Sequence, residues 1–167
     1  MNDFSLNEGN VGKGIAASII SAVKYLIFPL LILMSATSLL VKGGGGEVAE
    51  QLRLEDMKYI LLMLGIPITI LSFFRGFYPR GSVSRFTFGA IVTVLVCIWI
   101  WMVTMGGKLT LEFEQFGLTL NFTGLVLLFI LAAALKGVFY LAEMLSYRQE
   151  WLGSQKVAPV VGSQIVP

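Results

Sequence analysis

Long runs of apolar residues, each bounded by lysine or arginine, dominate the pattern of the chain. A helix that crosses about 30 Å of hydrocarbon needs roughly 20 mostly apolar residues, because each residue advances about 1.5 Å. The runs that approach this length are residues 25–41, 59–74, 86–105 and 123–147. The pattern therefore predicts an all-α membrane protein, a bundle of four transmembrane helices.

A different periodicity separates the third run from the fourth. Leu109 and Leu111 alternate with polar residues, a glycine-containing turn follows, and Leu118 and Leu120 alternate in the same way. Period-two alternation on both sides of such a turn is typical of a β-hairpin. We expect a small extracytoplasmic hairpin between helices 3 and 4. Since an isolated hairpin is only marginally stable, the preceding outer loop or another subunit should cover its apolar face.

These elements divide the chain into three parts. Residues 1–24 form a cytoplasmic or interfacial segment, residues 25–147 the four-helix transmembrane domain, and residues 148–167 a cytoplasmic tail of apolar composition. Residues 11–23 either continue the first helix or lie in the plane of the interface. Within the first two helices, Pro29 and Pro67 remove backbone donors, so each predicts a kink.

Basic residues set the predicted orientation, because short cytoplasmic loops are enriched in lysine and arginine. The loop between the second and third runs carries Arg75, Arg80 and Arg85 and no acidic residue. Placing this loop in the cytoplasm assigns eight of the 12 basic residues to that side and four to the other. We therefore expect an integral, multi-pass membrane protein with both termini cytoplasmic.

The amino-acid composition limits the chemical reactions that the chain can catalyse. Only 13% of residues are charged, 56% are hydrophobic, histidine is absent, and Cys97 is the single cysteine. Zinc sites and most activated nucleophiles need imidazole or several thiolates, so we predict no enzyme activity, no metal and no cofactor. The net charge of +2 comes without a basic run interleaved with aromatic residues in a soluble region of the chain, which argues against a nucleic-acid partner.

Ionisable residues inside predicted spans are the first candidates for function. They are Lys24, Lys136 and Glu143, which we place toward the cytoplasmic ends of their helices. Tyr140 shares a helical face with Lys136 and Glu143, so that Glu143 can approach Lys136 through Tyr140 or a neighbouring helix. Together with Arg75, Arg80 and Arg85, these residues suggest a pocket for an anionic lipid headgroup, a substrate or a partner carboxylate. The alternative is that the lysines snorkel to the headgroups and form surface ion pairs.

Small residues indicate where helices pack. Gly14, Ser18 and Ala22 recur every four residues on one face, and Ala133 and Gly137 repeat the spacing in the fourth run. Such faces let helix backbones approach closely in lipid. In a chain rich in alanine and glycine, the same spacing also arises by chance.

Two functional hypotheses follow. The first is a non-catalytic integral subunit that packs against other membrane proteins, or against copies of itself, through the small-residue faces, the hairpin and the tail. The alternative is a homo-oligomeric channel or carrier for a small solute or an anionic lipid. An enzyme acting on lipids ranks third, since Glu143 has no matching base.

Overall fold

The computed structural model of the chain describes Phe4, residues 9–113 and residues 116–157. Its helices are α1 Val11–Ala22, a π-helical segment Val23–Ile27, α2 Phe28–Lys42, α3 Gly46–Gln51, α4 Leu54–Phe77, α5 Val83–Val103, a 3-10 turn Met105–Gly107 and α6 Thr123–Val157. Strands β1 Lys108–Phe113 and β2 Phe116–Asn121 form an antiparallel pair between α5 and α6.

Four helical stretches are long and apolar enough to cross a membrane. They are Val11–Lys42, Gly46–Phe77, Val83–Val103 and Thr123–Gly153, with mean hydropathies of 2.0 to 2.4. The prediction of four such helices and a hairpin between the last two is confirmed. The first helix starts earlier than its apolar run, because Lys13 and Lys24 lower the hydropathy without breaking the helix. Residues 11–23 thus continue the first helix.

The two prolines behave differently. Immediately before Pro29, the helix widens into the π-helical segment. A proline ring clashes with the carbonyl four residues earlier, here that of Tyr25, and a π turn relieves such crowding by inserting an extra residue. Pro67 lies inside α4, and the helix assignment runs through it from Leu54 to Phe77.

The helices pack as an open row. α1 packs against α4, α4 against α5 and α5 against α6, whereas α6 has no comparable interface with α1 or α2. The predicted bundle is therefore not closed into a ring. Its core lies at the middle of the row, where Ile68, Val92 and Val96 are buried and Tyr25 and Trp99 pack around them.

The contact between α1 and α4 is close enough to exclude side chains. A methyl group on Gly76 would lie 2.5 Å from the Cβ of Ala17 and 2.6 Å from the carbonyl oxygen of Lys13. Two turns earlier in α4, the carbonyl oxygen of Thr69 accepts from Ser18 Oγ at 3.2 Å. These contacts hold α1 antiparallel to the second half of α4.

The hairpin pairs the predicted leucines across its strands. Leu109 faces Leu120 and Leu111 faces Leu118. Of the predicted turn, residues 115–117, Gln115 lies outside the described residues, whereas Phe116 and Gly117 belong to β2. From α3, the Gln51 side chain donates to the Glu112 carbonyl at 2.8 Å and accepts from its N–H at 2.9 Å. The first outer loop therefore contacts the hairpin but leaves Leu118 and Leu120 exposed. Residues 158–167 of the predicted tail also lie outside the described residues.

Candidate functional site

A cleft of about 750 Å³ opens at one end of the row, where α4 ends and α5 begins. We call this the arginine end and the opposite one the hairpin end. The cleft is lined by four cationic side chains, which come from α1, α4, the connecting loop and α5: Lys13, Arg75, Arg80 and Arg85. Tyr140 of α6 completes it. We refer to these five residues as the basic cleft.

Caps at the helix ends bring the cations together. Asn10 caps α1 by accepting from the Lys13 N–H at 3.0 Å, and its own N–H donates to the carbonyl oxygen of Phe77 at 2.9 Å. Ser82 caps α5 by accepting from the Arg85 N–H at 3.2 Å. Both are typical N-cap residues. The start of helix 1 is thereby joined to the end of α4, so Lys13 lies beside the arginine loop.

Glu143 pairs with arginines rather than with Lys136. Arg85 donates to both carboxylate oxygens, at 3.2 and 3.1 Å, and Arg80 approaches at 3.3 Å. The carboxylate side chain is only 9% exposed. The expected approach to Lys136 is wrong because seven residues separate the two positions by about 10 Å along the helix, whereas Arg85 reaches Glu143 from α5 at the same height.

Arg75 has a neutral partner. Its Nη1 donates to the Tyr140 hydroxyl at 2.6 Å, and its guanidinium carbon lies 5.6 Å from the centre of that ring. The Tyr140 ring is buried against Gly89, where a methyl group would lie 2.8 Å from it. Among the described residues, no carboxylate lies within salt-bridge distance of Arg75. No carboxylate of the described residues therefore neutralises the charge of Arg75.

Lys24 and Lys136 lie near the middle of the row, not near the arginine end as we expected. A methyl group on Gly65, at the midpoint of α4, would lie 3.0 Å from the carbonyl oxygen of Tyr25. One on Gly137 would lie 3.3 Å from Thr93, at the midpoint of α5. The expectation took the first helix to begin at Tyr25, but α1 places several more turns between Lys24 and the arginine end.

Lys136 lies one turn before Tyr140, the residue whose hydroxyl accepts from Arg75. The charges of Arg75 and Lys24 both act on the ammonium of Lys136. Neither lysine forms a salt bridge with any residue that the structure describes. We call Lys24, Arg75 and Lys136 the central cation cluster. It joins residues from the first helix, α4 and α6 that the sequence alone could not place together.

The predicted packing residues mostly lie at contacts within the chain. Gly14 packs against Phe73, and Ser18 bonds to α4. Ala133 packs beside the core and Gly137 contacts Thr93. Ala22 is half-buried. Sequence reasoning missed the partner glycines, which share no regular spacing that would single them out: Gly65, Gly76 and Gly89.

Within the described part of the chain, no group of three or more histidine, cysteine or acidic residues is placed to hold a metal ion. Comparison of the chain with protein-family models, with curated proteins and with solved structures finds no match. The function of the chain is therefore inferred from the geometry of the cleft and of the helix row.

Proposed function

We propose that this chain is a non-catalytic integral membrane protein that binds the anionic headgroup of a membrane lipid in its basic cleft. The observation that carries the proposal is the convergence of four cations from separate elements on one cleft. The only carboxylate that pairs with them among the described residues is Glu143, and it engages Arg80 and Arg85. Lys13 and Arg75 form no salt bridge with any carboxylate of the described residues, so we take them as the cations that bind the anion.

The chemistry of the cleft suits a phosphate. The guanidinium of Arg75 has several N–H donors and uses one on Tyr140, so others are free to bind phosphate oxygens. Pockets that bind small molecules typically measure about 300–1,000 Å³, and the cleft falls in this range at about 750 Å³. Each cation near an anionic membrane surface contributes about 1 kcal/mol to attraction.

The position of the cleft agrees with a headgroup site. It lies at the end of the apolar helices, beside stacked aromatic rings that include Phe74, Tyr78 and Phe88. Aromatic residues and arginines are both enriched where a bilayer meets water. With the arginine end on the cytoplasmic side, as proposed from the distribution of charge, the ligand would come from the inner leaflet.

Lys13→Gln provides the test. Purified full-length protein in mild detergent would be titrated with phosphatidylglycerol and, separately, with phosphatidylcholine, and bound lipid counted by native mass spectrometry. We expect a preference for phosphatidylglycerol that Lys13→Gln weakens about fivefold, as the loss of about 1 kcal/mol requires. Lys42→Gln, at the other end of the same continuous helix, should leave it unchanged. Equal binding of the two lipids would refute the proposal.

The first hypothesis of the sequence analysis, a subunit of a larger assembly, is favoured by one observation of its own. The hairpin lies outside the apolar helices, yet it exposes Leu118 and Leu120 to 42% and 47%. If a partner protein covers this face, Leu118→Glu should reduce the size of the complex extracted from native membranes. Thr119→Glu, on the opposite face of the same strand, serves as the control. Identical complexes from both variants would exclude this interface.

A further inference from the structure

Two arginines of the basic cleft each lie over a tyrosine of α6. The guanidinium carbon of Arg75 is 5.6 Å from the centre of the Tyr140 ring. The guanidinium carbon of Arg80 is 5.7 Å from the centre of the Tyr147 ring. Seven residues separate the two tyrosines, which places their rings on one face of the helix and about 10 Å apart along it. The two guanidiniums therefore occupy separate positions along the cleft.

Arg80 and Arg85 share the carboxylate of Glu143 unequally. Arg85 donates to both of its oxygens, at 3.2 and 3.1 Å, and the Arg85 side chain is only 21% exposed. Arg80 makes a single contact with the same carboxylate, from Nε at 3.3 Å, and its side chain is 63% exposed. Glu143 keeps a bidentate partner if Arg80 turns away. Arg80 can therefore bind an anion without leaving that buried carboxylate unpaired.

The basic cleft has more positive charge than one phosphodiester can neutralise. Its four cations are Lys13, Arg75, Arg80 and Arg85. Among the described residues, Glu143 is the one carboxylate that pairs with them, so four positive charges and one negative charge leave a net charge of three. The headgroup phosphate of a lipid such as phosphatidylglycerol has a single negative charge. A headgroup with two phosphates matches the charge of the cleft more closely.

We propose that the basic cleft binds a lipid headgroup with two phosphates, one at Lys13 and Arg75 and the other at Arg80. This inference rests on the proposed function, to which it adds the charge of the ligand and a second binding position. Basic pockets between transmembrane helices are known to bind lipids of this kind. Two classes have the required chemistry. In cardiolipin a glycerol joins two phosphodiesters, and in a phosphorylated phosphoinositide the inositol ring holds both phosphates.

Titration with lipids of different charge tests the proposal. Purified full-length protein in mild detergent would be titrated separately with cardiolipin, phosphatidylinositol 4-phosphate, phosphatidylglycerol and phosphatidylcholine, and bound lipid counted by native mass spectrometry. We expect at least one of the two-phosphate lipids to bind about fivefold more tightly than phosphatidylglycerol, as one additional contact between a cation and a phosphate requires. The tighter of the two shows whether the phosphates belong to a glycerol bridge or to a ring.

Arg80→Gln tests the position of the second phosphate. It should reduce the preference for the two-phosphate lipid over phosphatidylglycerol about fivefold. Lys13→Gln should weaken the binding of both lipids together and leave their ratio unchanged. Arg80→Lys keeps the charge and should retain the preference, which separates loss of the cation from loss of packing on Tyr147. Arg53→Gln, which replaces an exposed arginine near the hairpin end, is the control and should change neither affinity.

Two results would overturn the inference. One is that neither two-phosphate lipid binds more tightly than phosphatidylglycerol; the other is a preference that Arg80→Gln leaves intact. If phosphatidylglycerol binding still depends on Lys13 in either case, the headgroup site of the proposed function stands and only the second phosphate position fails. If the protein binds every anionic lipid no more tightly than phosphatidylcholine, both proposals fail.

Discussion

At the scale of single residues, Glu143 organises the arginine end. It receives three hydrogen-bonding or ionic contacts from Arg80 and Arg85, and little of its side chain is exposed. The sequence placed Glu143 on the correct face of its helix, with Tyr140. The sequence could not identify the residues that pair with Glu143, because the height of α5 relative to α6 depends on packing. The same packing brings Arg75 within hydrogen-bonding distance of Tyr140.

Glu143→Gln should destabilise the protein, because two arginines would lose their carboxylate. Hydrogen bonds to charged groups each contribute about 1.5–3 kcal/mol, so we expect a loss of about 2–3 kcal/mol in the free energy of unfolding, visible as a lower melting temperature in detergent. Glu150→Gln, two turns further along the exposed part of α6, is the matched control. Equal melting temperatures for the two variants would contradict the assigned role.

At the scale of elements, glycines set the distance between α1 and α4. The two helices contact each other because their backbones approach closely, rather than because large side chains are buried between them, as is usual for helices in lipid. Spacing in the sequence identified Gly14 and Ser18 on the α1 side. It did not identify Gly76, which has no regular spacing from Gly65, the other glycine of α4, and is recognisable only from its contact with Ala17.

Gly76→Ala should push the two helices apart, since the added methyl group meets the backbone of α1 as well as Ala17. Overpacking of this kind costs about 1–3 kcal/mol. Gly124→Ala, in α6, meets nothing within 4 Å and should be neutral or slightly stabilising, since alanine is the better helix former. Melting curves of the two variants in the same detergent provide the comparison. A Gly124→Ala variant that melts as low as Gly76→Ala would argue against the packing explanation.

At the scale of the whole molecule, the open row of helices determines which surfaces of the chain are exposed. A row of four helices has two broad faces, and the basic cleft opens at the arginine end of the row. A single chain in this arrangement encloses no pore among its described helices.

The orientation of the row is testable with single cysteines. In a Cys97→Ala background, Gly117→Cys in the hairpin should react with an impermeant maleimide added to intact cells, whereas Gly153→Cys near the end of α6 should react only after the membrane is opened. Both positions are exposed and have no atoms within 4 Å of an added Cβ, so steric protection does not confuse the comparison. Labelling of Gly153→Cys in intact cells would reverse the predicted sidedness.

What the sequence determined by itself is local. The length of the apolar runs predicted four helices of membrane-spanning size, and strict alternation predicted the hairpin and its leucine face, because both patterns follow from the geometry of one element. Where charges interrupted the pattern, as at Lys13 and Lys24, the sequence left open whether residues 11–23 continue the first helix, and the structure shows that they do.

Only the tertiary structure decided which residues meet. The pairing of Glu143 with Arg85, the bond from Arg75 to Tyr140 and the mid-height position of Lys136 all depend on how far one helix is shifted and rotated against the next. That shift is set by contacts such as Gly76 on Ala17 and Gly137 on Thr93, between residues far apart in the chain. Hydropathy and periodicity contain no information about such contacts, so the basic cleft emerged only when the helices were packed.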